Sequence, residues 1–61
     1  MKKFIVKLKL EELGIITKEI FALSDEEMLH IVNKICNDMF DQFGIYADLE
    51  SFEVVLHLND V

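Results

Sequence analysis

Apolar and polar residues alternate from the start of the chain: Phe4, Val6, Leu8 and Leu10 fall on one side, Lys3, Ile5, Lys7 and Lys9 on the other. Period two with β-branched and aromatic members predicts a half-buried strand whose outer face carries lysines. Glu11-Glu12-Leu13-Gly14 supplies a turn, with Gly14 free to take a positive φ. The stretch IITKEIFAL has β-branched residues at hairpin distance and predicts a second strand near residues 15–22. Its alternation breaks over Ile20-Phe21-Ala22-Leu23, so a short helical turn competes there.

The next segment changes period. Ser24 reads as an N-cap, and Glu27 three residues on completes a capping box. Leu23 and Met28 are spaced for a hydrophobic staple. Asp25, Glu26 and Glu27 sit where the helix dipole favours negative charge. Gly44 is placed for a left-handed C′ position, with Ile45 in reach of Phe40 as a Schellman ending expects. A helix over residues 25–43 follows. Its apolar positions span roughly half the circumference, wider than the ~100° one core contact needs. Ile31 and Phe40 are the edges expected to be left over. Residues 46–51 predict a polar connection, and FEVVLHL a last strand. In that strand Phe52, Val54, Leu56 and Leu58 point one way, Glu53, Val55 and His57 the other.

These elements assemble most simply as one small α+β domain, β-β-α-β, with the helix laid on a three-stranded sheet. A right-handed crossover places the first strand between the other two, in order 2-1-3. Lys3, Lys7 and Lys9 then lie beside Glu53 on one neighbour and Glu19 on the other.

Length sharpens one expectation. Sixty-one residues make a single domain whose core is marginal. Small scaffolds add a disulfide, a metal or a partner subunit. Cys36 is the only cysteine, so no disulfide closes within the chain. A homodimer is therefore expected, with Ile5 and Val55 on the outer sheet face and Ile31 and Phe40 on the helix as interface candidates. The 52% hydrophobic content excludes disorder. No apolar run reaches membrane-spanning length, and Lys7 and Lys9 interrupt any signal-peptide core, which points to the cytoplasm.

Charge narrows the partners. The net charge is −6, yet four of the six lysines occupy the first nine residues and arginine is absent. A phosphate backbone would be repelled by the remaining surface, which excludes direct nucleic-acid binding. Cys36 projects from the apolar helix face and reads as an inert core thiol. His30, one turn after Glu26, and His57, on the same strand face as Glu53, read as surface residues, because a catalytic couple needs an enclosing pocket. No CxxC, HxxxH, calcium-loop or phosphate-loop spacing occurs. Catalytic, cofactor-binding and metal residues are accordingly assigned to none. The polar helix arc is different: Glu26, Glu27, Lys34, Asp38 and Asp41 form either a solvated face or an anionic recognition surface for a basic partner site.

The stretches SDEEMLHIVNKICNDMF and FEVVLHLND together resemble the helix-plus-strand half of the small tautomerases, over about half the chain. That family acts through an amino-terminal proline. Here Lys2 follows Met1 and proline is absent, so the resemblance implies no tautomerase activity.

The expectation is a small acidic cytoplasmic module that binds, and regulates or inhibits, a larger protein, such as a basic nucleic-acid-binding one. A residue choice rich in Ile, Lys, Asn, Phe and Asp, with no Arg, Pro or Trp, suits an AT-rich phage or mobile element. An assembly subunit of a larger complex is the alternative. A small oligomeric enzyme with an interface active site is the third.

Overall fold

The protein is described from a computed structural model over residues 1–55. The elements run β1 (Lys2–Leu10), β2 (Gly14–Ala22), α1 (Asp25–Phe43) and β3 (Ala47–Val55). One helix packs on a three-stranded antiparallel sheet in the order β2-β1-β3. The expected α+β topology and strand order are both present. Leu56, His57 and Leu58 lie outside the described residues.

Alternation places the core. Phe4, Val6, Leu8 and Leu10 of β1 are buried, and Lys7 and Lys9 between them are exposed. Phe4, Val6 and Leu8 cluster with Ile20 and Ala22 of β2 and with Met28 and Val32 of α1. Ile16, Ile31, Ile35, Cys36 and Leu49 pack against the margin of that cluster. A fully buried aliphatic or aromatic side chain of this kind contributes about 1.5–3 kcal/mol by leaving water, so β1 anchors the domain. Sited in the middle of the sheet, it is also the strand both neighbours need.

The second strand extends through Ala22, so the competing helical turn is not formed. Ile20 and Ala22 are buried and Phe21 between them is exposed, which is ordinary alternation with a large outward residue. The third strand begins at Ala47, within the segment expected to be a polar connection. Lys7 faces Ser51 whereas Leu8 faces Leu49, so Glu50 is an extra residue that bulges from the ladder. The bulge switches parity: Ala47 and Leu49 share the helix-side face with Phe52 and Val54.

Both helix ends are closed by the expected residues, with two differences in detail. Ser24 Oγ accepts from Glu27 N–H at 3.1 Å, and Glu27 Oε1 accepts from Leu23 N–H at 2.6 Å. The returning bond thus reaches one residue beyond the usual capping-box donor. Leu23 itself is exposed while Met28 turns fully into the core. At the other end Gly44 has φ 70° and donates its N–H to Phe40 C=O at 2.8 Å, with Ile45 N–H reaching Met39 C=O at 3.5 Å. Phe40 also meets the ring of Tyr46, at 4.8 Å between centroids.

Candidate functional site

The helix presents its polar arc away from the sheet. Successive α-helical residues advance about 100°, so Glu26, Glu27, Lys34, Asp38 and Asp41 fall within about 120° of one another. All five are exposed. His30 is exposed on the same arc, one turn after Glu26, and no ion pair joins the two. Among the described residues the ion pair present is Lys3 Nζ to Glu19 Oε2 at 3.4 Å, on the opposite side of the molecule. The acids of the arc are therefore not neutralised by Lys34. Glu27 has a second task, because its carboxylate caps the helix through Leu23 N–H.

The lysine stripe lies on the open face of the sheet. Ile5, rather than a lysine, stands directly between Glu19 and Glu53; Lys7 faces Thr17 and Ser51, and Lys9 faces Ile15 and Asp48. Lys3 reaches Glu19 diagonally, as the ion pair shows. Within the sheet Lys3 thus answers Glu19 diagonally, Lys9 stands directly opposite Asp48, and Lys7 stands opposite no acid.

The four interface candidates do not form one surface. Ile5 and Val55 are half-buried on the open sheet face, where Val55 faces Lys3. Ile31 is half-buried and packed against the core. Phe40, nine residues later and hence about 180° round the helix, is exposed and stacked on Tyr46.

Cys36 sits at the core margin rather than inside it. Burial pushes its thiol up, and the Asp48 carboxylate adds to the push. A thiol kept protonated in this way is a poor nucleophile. Among the described residues no three His, Cys, Asp or Glu side chains stand together as a metal ion would require. His57 lies outside the described residues.

One feature was not singled out by pattern. The β1–β2 turn and the α1–β3 connection meet at one end of the molecule, where Glu11 N–H donates to Tyr46 C=O at 2.9 Å. Glu11, Glu12, Leu13, Gly44, Ile45 and Tyr46 line a shallow depression there. Lys9, Glu11, Tyr46 and Asp48 line the adjoining one. Leu13, Phe43 and Tyr46 are each more than 60% exposed. The signal lay in isolated apolar residues beside glycines, which are individually unremarkable until the chain brings them together.

No helix among the described residues is long and apolar enough to cross a membrane. No family model, curated protein or solved structure matches the chain, so the tautomerase likeness gains no support.

Proposed function

We propose that the protein is a binding module that regulates or inhibits a larger, basic protein in the cytoplasm through the acidic arc of α1. The observation that carries the reading is the exposed, un-neutralised run of Glu26, Glu27, Asp38 and Asp41 on a rigid helix in a chain of net charge −6. A preformed strip of like charge speeds and orients encounter with a positively charged site. Such a site on the partner is one that otherwise holds nucleic acid. The module acts by occupancy and not by catalysis.

The exposed apolar residues also support a second reading, in which the chain completes a larger assembly. Affinity capture from the native cytosol separates the two. Wild-type protein is compared with an Asp38→Lys/Asp41→Lys variant, which leaves the Glu27 cap in place. The proposal expects a basic nucleic-acid-binding protein to be captured by the wild type, lost from the variant and released by salt. Capture of one fixed, equimolar set by both proteins supports the assembly role and overturns the regulatory one.

A further inference from the structure

The end of the molecule opposite the helix N-terminus combines three properties that solvated surfaces seldom share. It is apolar: Phe43 is 68% exposed, Leu13 64% and Tyr46 61%. It is acidic at its rim, where Glu11, Glu12 and Asp48 line the same depressions as Tyr46. It is held in shape by the Glu11–Tyr46 backbone bond, the Phe40–Tyr46 stack and the left-handed Gly44 cap. An aromatic centre with a polar rim is the anatomy of a binding hot spot, and prior rigidity lowers the cost of ordering on association.

We propose that this end is the docking point for a basic amphipathic segment of a partner protein. An apolar side chain of that segment would seat among Leu13, Phe43 and Tyr46, with flanking Lys or Arg side chains against Glu11, Glu12 and Asp48. Charge selects this occupant. A second copy of the chain in a two-fold contact would set these carboxylates against their own equivalents, at a cost in like-charge repulsion. Nucleic acid and anionic lipid surfaces are repelled for the same reason. Among the described residues Lys9 is the cation lining the site; it faces Asp48 across the strands, and no ion pair there answers Glu11 or Glu12.

The inference rests on the reading of the chain as a binding module, but on a different surface from the helix arc. The test uses a synthetic Leu/Lys amphipathic peptide, an all-Lys peptide and a Leu/Glu amphipathic peptide, titrated into isotope-labelled protein and followed by amide NMR. The Leu/Lys peptide is expected to shift the amides of Leu13, Phe43, Gly44 and Tyr46 and to keep binding at about 0.5 M NaCl, where the Debye length is about 4 Å. Phe43→Ser should weaken it about tenfold or more without altering the circular-dichroism melt, because Phe43 contributes little to the core. Tyr46→Ala provides the second variant at the same site. Equal binding of the all-Lys peptide, or shifts confined to the helix arc and abolished by Asp38→Lys/Asp41→Lys, would overturn the docking point while leaving the proposed function standing. No binding of either cationic peptide would overturn both. Shifts at Leu13 and Phe43 that grow with protein concentration alone would make a second copy the occupant and overturn the assignment.

Discussion

Glu27→Lys is the most informative single substitution, because Glu27 serves the helix cap and the acidic arc together. In the structure its carboxylate takes the Leu23 N–H at 2.6 Å, and its own N–H is held by Ser24 at 3.1 Å. Losing that carboxylate removes a cap bond worth about 1 kcal/mol. Placing a cation in the first turn adds a reversal of the dipole interaction, about 0.3–1 kcal/mol for each unit of charge. The sum is about 1.5–3 kcal/mol, from a total stability of roughly 3–9 kcal/mol for a chain of this size. With a urea m-value of about 1 kcal/mol per M, the midpoint should fall by about 2 M. Asp38→Lys should move it little, and Asp41→Lys should hold or raise it, since a cation in the last turn complements the dipole. The assay is urea unfolding followed by circular dichroism at 222 nm for the three variants side by side. Equal midpoints for Glu27→Lys and Asp38→Lys would refute the cap assignment. The practical result is that binding experiments on the arc should spare Glu27.

Backbone conformation gives two further expectations of opposite sign: Gly44→Val forces a β-branched residue to φ 70° and should cost about 1–2 kcal/mol, whereas Glu12→Gly relieves a residue held at φ 69° and should gain up to about 1 kcal/mol, both by urea midpoint. Lys3→Glu breaks the pair with Glu19 and should lower the thermal midpoint more than Lys7→Glu, whose direct neighbours are Thr17 and Ser51. Cys36 should alkylate slowly at neutral pH, and Asp48→Asn, by removing a negative charge, should lower its pKa and speed the reaction. Because the folded pKa is raised, the folded protein holds the thiol proton longer than the unfolded chain. Its stabilising share is therefore present at neutral pH and lost as pH climbs from the ordinary thiol range through the folded value.

Where a local rule acts alone, the chain is readable. The β1 stripe, the Ser24 cap and the Gly44 ending each rest on one pattern with no competitor, and each appears at the expected residues. Strand β2 was obscured because Phe21 is a large apolar residue on the outward side, where alternation expects a polar one. Strand β3 was obscured at its start because the bulge at Glu50 puts Leu49 and Phe52 on one face although they are three residues apart. No period-two pattern survives that insertion. The candidate arc was legible from helical spacing, but the double duty of Glu27 was not, since a cap acceptor and a surface acid look alike in sequence. The aromatic end was illegible for a third reason: it joins residues 11–13 to residues 44–48, a contact only the folded chain makes.

The central position of β1 also orders events in time. Its pairing with β2 closes a turn of a few residues, whereas its pairing with β3 must first close a loop of more than thirty. Loop closure on that scale costs entropy that the hairpin does not face. The hairpin should accordingly form early, and the docking of α1 and β3 should follow as the slower, cooperative step. Changes in the β1–β2 turn will then register in the folding rate, and changes in β3 chiefly in the unfolding rate. The strand that carries half of the buried core residues is thus also the template on which the rest of the domain is laid down.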